Sequence, residues 1–319
     1  MKGNDALDEL LVSNIDALNS EDVSDKTFSE YLGNGRPLKI KNEAVNWNAV
    51  DKWTPEWFAD NYSDYVVPIA NGSRRNMEYS SITISNFVAQ MKNDQKQMYL
   101  RQYDIFTRIP ELLNDIIIPR FCPNDRLVVP FFWMGCNTIQ PLHQDHHSDW
   151  DGVANLFTQV FGRKIVVLAD NTQTKYLYKR SNAKTDYHLS EVDIDNPNFE
   201  NYPLLKYARF LITEVEAGDT LLIPSRYWHF VKSIGSSISV SCWWRPNKIA
   251  DLIVRIGLLK GNKEKVIKFV NENRGRINLG DAQELGIKNL VSMLKSMDAS
   301  KKLIFLKLFD ENSKRILGE

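Results

Sequence analysis

The chain has 319 residues, 43% of them hydrophobic and 25% charged, which is ordinary for a soluble globular protein and enough for one large domain or two modest ones with a substantial core. Forty basic residues cancel forty acidic ones, so no global charge draws the chain to nucleic acid or to an anionic membrane. Three widely spaced cysteines, Cys122, Cys136 and Cys242, argue against a disulfide framework or a zinc ribbon and fit a reducing compartment.

The start, Met1 to Glu9, is acidic and lacks the apolar centre of a signal peptide, and no apolar run reaches membrane-spanning length, so the expected location is cytoplasmic. Between Asp5 and Leu32, Leu7, Leu10, Leu11, Ile15 and Leu18 recur near helical spacing and predict an N-terminal helical lead-in over residues 1–35. Gly33 and Gly35 break it, and Pro37 to Ile40 reads as the first strand. Thr54-Pro55 marks a helix start, with Thr as cap and Pro at the first helical position, opening a helix to Tyr62. Tyr65 to Ile69 returns as strand, Ile82 to Val88 as a short strand running into a helix capped near Ser85, and Met98 to Gln102 as strand before a helical segment around Ile109 to Ile117.

From Arg126 to Pro246 the texture changes to short strands separated by turn signals, the pattern of an antiparallel sandwich or barrel. The strands are predicted at Val128–Met134, Phe157–Val160, Lys164–Leu168, Leu221–Ile223, Trp228–Ser233 and Ile238–Trp244. The long polar stretch from Asp170 to Arg209, with five scattered tyrosines, reads as an insertion over one end of that barrel. Beyond Pro246, Ile249, Leu252, Ile253 and Ile256 and then Ile287, Leu290, Val291 and Leu294 follow an i, i+3, i+4, i+7 pattern. Residues 247–319 are therefore expected to be helical and to dimerise. From Lys248 onward fifteen basic and nine acidic residues leave this tail at +6, a charge read as that of solvated amphipathic helices rather than of a nucleic-acid surface.

The densest chemistry lies at Leu142-His143-Gln144-Asp145. Three of the five histidines, His143, His146 and His147, fall within five residues, beside Asp145, Asp149 and Asp151. A His-x-Asp on extended chain puts both side chains on one side, where they can reach one ion. Two registers fit that spacing, His143 with Asp145 and His147 with Asp149. The first is preferred because Pro141-Leu142 lead into it from a predicted strand, whereas the second falls in what reads as an insertion. Outside the cluster only His188 and His229 remain, and His229 follows strand-like sequence after the Gly218-Asp219 turn signal. Two histidines and one carboxylate with open positions opposite make the facial triad of non-haem Fe(II) oxygenases; the bland reading of a lone His-x-Asp is a solvated loop.

Four blocks, Pro141 to Asp145, Asn155 to Lys164, Gly218 to Pro224 with Trp228-His229, and Val240 to Trp244, together resemble the JmjC, or cupin-like, Fe(II)- and 2-oxoglutarate-dependent oxygenases. Within that group the chain is similar to the asparaginyl hydroxylase that inhibits the hypoxia-inducible factor and to its bacterial cupin-like relatives. The resemblance takes in Met98 to Gln102 and Pro37 to Ile40 and covers roughly residues 35–246. It implies a mainly β fold with flanking helices, a double-stranded β-helix (jelly roll) over residues 36–246 followed by the C-terminal helical region. It also implies Fe(II) bound by His143, Asp145 and His229, 2-oxoglutarate bound by Lys164, Tyr99 and Asn155, and dioxygen as co-reactant. Thr138 and Ser241 stand near positions that hold cosubstrate in the family; Gln140 occupies the place of a threonine three residues before the first ligand, and Ser241 that of an asparagine. On residue type alone, Lys164 begins a strand with Val166 and Leu168 on its face, an inward-pointing placement that suits a carboxylate partner.

The expected function is hydroxylation of an unactivated C–H bond, in a protein or peptide side chain, with Arg101, Gln102, Trp150 and Trp243 as substrate-side candidates. The alternatives are a hydroxylase of a small metabolite, an N-methyl demethylase, and a non-catalytic cupin-like binding protein. No nucleic-acid or membrane partner is expected.

Overall fold

The computed structural model describes residues 10–72, 78–92, 98–123, 128–145, 153–180 and 188–244. The helical region expected at 247–319, with the dimer contact assigned to it, lies outside these residues, as do His146, His147, Asp149 and Trp150.

In chain order, β1 (Leu11–Asn14) and β2 (Ala17–Asn19) lead into α1 (Asp25–Gly33), whose cap residue Ser24 accepts a hydrogen bond from the Thr27 N–H. After β3 (Leu38–Lys41) come α2 (Asn48–Lys52) and α3 (Pro55–Asn61), the latter capped by Thr54 as its Thr-Pro start predicts. β4 (Val66–Asn71) pairs antiparallel with β5 (Glu78–Thr83), which runs directly into α4 (Ile84–Met91). β6 (Met98–Tyr103) and α5 (Ile105–Arg108) precede a 3-10 turn at Pro110–Asp115. The remaining strands are β7 (Val129–Cys136), β8 (Ile139–Gln144), β9 (Ala154–Ala169), β10 (His188–Leu189), β11 (Arg209–Glu216), β12 (Thr220–Ile223) and β13 (Trp228–Trp244). Among the described residues no helix is long and apolar enough to cross a membrane.

Several elements differ from their sequence expectation. Of the helical lead-in expected over residues 1–35, α1 is present, but the apolar spacing from Leu11 to Leu18 falls on strands: β1 adds in parallel to β11 and β2 to β3. An existing sheet edge offers these short segments a full set of backbone partners, whereas an isolated helix of that length is marginal. The α4 cap is Thr83, which bonds the Asn86 N–H, rather than Ser85. The helix expected near Ile109 is the 3-10 turn, opened by Pro110. The 170–209 stretch is packed, not merely polar: Leu177, Val192, Ile194, Leu205 and Ala208 are buried in one cluster with Trp228 and Phe230.

All strands join one 13-stranded sheet whose main path runs β2-β3-β12-β9-β13-β7-β6-β4-β5, with β8, β10, β11 and β1 branching from it. The predicted strand pairs 157–160/164–168 and 228–233/238–244 are each one long strand, β9 and β13, bent at Gly162 and Gly235, both in the left-handed region. At Gly162 a Cβ would collide with the Ser236 carbonyl, so only glycine fits the crossing. The bends divide the sheet. The first half of β9 pairs with β12 and the second with β11; the first half of β13 pairs with β8 and the second with β7. Two half-sheets thus share the long strands, and the pocket lies between them. The main core, centred on Trp53, Phe58, Phe87, Phe106 and Phe132, ties α2 to α5 to the outer face of the β7 half.

Candidate metal and cosubstrate site

His143 sits near the end of β8 and His229 near the start of β13, and the backbone ladder pairs them directly. Their ring centroids are 4.0 Å apart. Each ring is fixed in the same way: His143 Nδ1 donates to the Pro141 carbonyl at 2.7 Å and His229 Nδ1 to the Tyr227 carbonyl at 3.1 Å. A carbonyl only accepts, so both protons are placed on Nδ1 and both Nε2 lone pairs are left for an electrophile. Those two nitrogens converge on Asp145, Nε2 of His143 at 3.4 Å from Oδ1 and Nε2 of His229 at 3.2 Å from Oδ2. Burial would push the Asp145 carboxyl up, but charge and hydrogen bonding from the facing His229 and His143 rings, which need a proton on Nε2, outweigh it and hold the group well below the usual carboxylate range; a cation bound there takes the place of those protons. Three donor atoms within 4.8 Å of one another fit one cation, since cis ligands about 2.1 Å from an ion stand about 3 Å apart.

The pocket above these ligands takes in most of the residues the sequence nominated. Tyr99, Asn155 and Ser241 line it with the triad, and so do Arg101, Gln102 and Trp243. Its apolar wall is Phe157, Ile223 and Val231, and the space up to its open mouth is about 450 Å³. Trp133 and Gln140 also line it. Trp133 carried no sequence signal beyond its place in a predicted strand. Several buried polar atoms of these lining residues have no partner among the described residues, namely Asn155 Oδ1, Gln140 Oε1, Gln102 Nε2, Trp133 Nε1 and Trp243 Nε1. Buried groups of this kind are normally satisfied, so they mark where a ligand supplies the missing bonds.

Lys164 stands behind Tyr99 and Phe157. Its side chain is buried, its Nζ donates to Ser239 Oγ at 2.6 Å and to the Tyr99 hydroxyl at 3.3 Å, and it lies 5.1 Å from the Phe157 ring centre. No carboxylate among the described residues pairs with it. Burial alone therefore pulls its ammonium down to about 7, and burial likewise raises the Tyr99 hydroxyl. Thr138 does not face the pocket: its Oγ1 lies 2.8 Å from Ser233 Oγ, and it bonds the Tyr99 hydroxyl from behind.

The residues present fit both groups that the site chemistry asks for. The oriented Nε2 pair with one carboxylate suits a ferrous ion, and a buried lysine lacking an anion, beside an orphaned amide, suits a dicarboxylate. Fold and site together define a β domain in which two histidines and one carboxylate converge as candidate metal ligands. The comparison with known proteins is specific: the cupin-like domain family matches residues 24–249, and the chain belongs to that family. Similar proteins include lysine-specific demethylase 8 of Xenopus tropicalis, 28% identical over 67% of this chain and 49% of its own length. Jumonji C domain-containing protein 5 of Drosophila melanogaster is 30% identical over 73% of this chain and 59% of its own length. The tRNA wybutosine-synthesizing protein 5 of Gallus gallus is 28% identical over 56% of this chain and 59% of its own. The chain spans about half the length of the first of these relatives and somewhat more of the others.

Proposed function

We propose that the protein is an Fe(II)- and 2-oxoglutarate-dependent oxygenase that hydroxylates an unactivated C–H bond in a protein or peptide side chain, on a double-stranded β-helix spanning residues 36–246. The observation that carries this reading is the convergence of His143 Nε2, His229 Nε2 and Asp145 on one point at the floor of a pocket. When bound there, ferrous iron and 2-oxoglutarate supply the oxidising power, dioxygen delivering one oxygen atom to succinate and the other to substrate as carbon dioxide leaves.

The chain's own residues supply geometry. Lys164 offers a compact cation, and Tyr99 a hydroxyl backed by Thr138, to the far carboxylate of the cosubstrate. Asn155 and Ser241 border the same space, and Phe157, Ile223 and Val231 exclude water from it. On the substrate side, Gln102, Trp133 and Trp243 present unpaired N–H donors, so the reacting side chain brings acceptors, and Arg101 stands beside them.

A second reading, oxidation of an N-methyl group with loss of formaldehyde, is favoured by the relatives named lysine-specific demethylases. Hydroxylation of a small metabolite draws on the same pocket. Incubation with Fe(II), ascorbate and 2-oxoglutarate tests the class: succinate release is expected, and its absence together with no bound iron would leave a cupin-like binding module. Mass spectrometry of lysate proteins then separates the substrates, a gain of 16 Da marking stable hydroxylation and a loss of 14 Da with formaldehyde marking demethylation. Residues 247–319 are proposed to be helical and to hold a homodimer, a point for sedimentation of the full chain.

A further inference from the structure

Gln144 stands between two of the three ligands, His143 and Asp145, yet its side chain does not line the pocket. It is buried, and its carboxamide is fully engaged. Nε2 donates to Asn171 Oδ1 at 2.9 Å and to the Arg226 carbonyl at 2.7 Å, while Oε1 accepts from His188 Nδ1 at 3.0 Å. His188 is itself oriented from its far side, where the Lys179 ammonium lies 3.0 Å from Nε2 and can only donate. That contact puts the imidazole proton on Nδ1, aimed at Gln144.

The partners matter for where they sit. Arg226 lies three residues before His229, in a turn that holds it in the left-handed region at φ 68°. Such a conformation is costly for a non-glycine residue and persists only where the surroundings impose it. The β8–β13 ladder does not impose it, because its pairing runs from His143 and His229 towards Ile139 and Lys232, and Arg226 precedes the start of β13. The Gln144 amide carries the connection past that last pair, joining the strand that carries His143 and Asp145 to the turn that launches His229. His188 reaches it because β10, a two-residue strand from the long polar connection, pairs His188 with Gln144 and Leu189 with His143.

We propose that Gln144, oriented by His188 and Lys179, is a positioning residue of the metal centre: it sets the spacing between the His143/Asp145 pair and His229. The inference rests on the reading of those three residues as metal ligands. Removing an outer residue that fixes the placement of metal ligands typically costs 10–100-fold in metal affinity.

The test is Mn(II) titration of the full chain by calorimetry, with the visible spectrum of the Co(II)-loaded protein as a report on ligand geometry. Gln144→Leu is expected to weaken Mn(II) binding by about 10–100-fold and to shift the Co(II) bands. His188→Leu is expected to do so more weakly, and His188→Asn, whose amide N–H takes the place of Nδ1–H, to restore affinity to within about 3-fold of the parent. Should Gln144→Leu not fold, the half-buried His188 pair of variants decides alone. Parent-like Mn(II) affinity and Co(II) spectra in folded leucine variants would overturn the clamp while leaving the metal site standing. A parent protein that binds neither ion would overturn the metal reading and the clamp with it.

Discussion

Lys164 Nζ lies 2.6 Å from Ser239 Oγ in the interior of the protein, with the Tyr99 hydroxyl at 3.3 Å and no carboxylate partner among the described residues. A lone buried ammonium is costly in the free protein and valuable once an anion arrives, and two predictions come from that imbalance.

The first concerns pH. Burial lowers the Lys164 ammonium from 10.5 to about 7 on folding. Between those values the unfolded chain binds more protons than the folded one, so stability at this site rises as pH goes from about 7 towards 10.5, and below about 7 the full penalty is present. Lys164→Met is expected to unfold at a temperature no lower than the parent at pH 6.5 and to lose this upward trend, as read by thermal melts across pH.

The second concerns the cosubstrate. A dicarboxylate beside Lys164 favours its charged form, so binding of 2-oxoglutarate above pH 7 takes up close to one proton and weakens as pH rises further. Calorimetry in buffers of different ionisation enthalpy counts that proton. In Lys164→Met the uptake disappears, and affinity falls by on the order of 100-fold, as expected for a lost charge-assisted bond of about 1.5–3 kcal/mol.

On the proposed reading each triad residue is needed for metal. His143→Ala, Asp145→Ala and His229→Ala are each expected to weaken Mn(II) binding by at least about 100-fold, since two remaining donors no longer make a facial site. Equilibrium dialysis with metal analysis measures it.

Away from the site, Trp53 is fully buried against Phe58, Phe106 and Phe132, and its indole N–H donates to Asp115 Oδ2 at 3.0 Å. Trp53→Ala is expected to cost about 3–5 kcal/mol in denaturant unfolding. A variant within about 1 kcal/mol of the parent would show that this cluster does not anchor the helices to the sheet.

At the bend of β9, Gly162→Ala meets both a left-handed backbone and the Ser236 carbonyl. The expected loss is at least about 1–3 kcal/mol, seen as a lower unfolding midpoint, because neither backbone can yield without breaking the β9–β13 ladder.

How much of this was legible beforehand varies with the range of the forces involved. Thr54-Pro55 announces α3 because a cap and a missing N–H act within one turn. The β texture of 126–246 is visible because alternation and turn residues are also local, and the His143/Asp145 and His229 segments stand out because imidazole and carboxylate are rare enough to notice. The N-terminal apolar spacing misleads, since Leu11 and Leu18 join strands only because β11 and β3 offer edges brought there from far along the chain. Trp133 carries no mark of the pocket, because which face of a strand turns inward depends on what lies opposite, and Gln140 is placed there only through the family resemblance.

By itself the sequence determined the chemistry available: which side chains can ligate, where strands and turns fall, and a charge balance with no overall excess. Only the tertiary structure decided that His143 and His229 lie side by side in one ladder, that Lys164 is left without an anion, and that Gln144 joins both ligand segments. Those are relations between residues 65 to 86 positions apart in the sequence, and their geometry is set by the closing of two bent strands on one another rather than by any local preference.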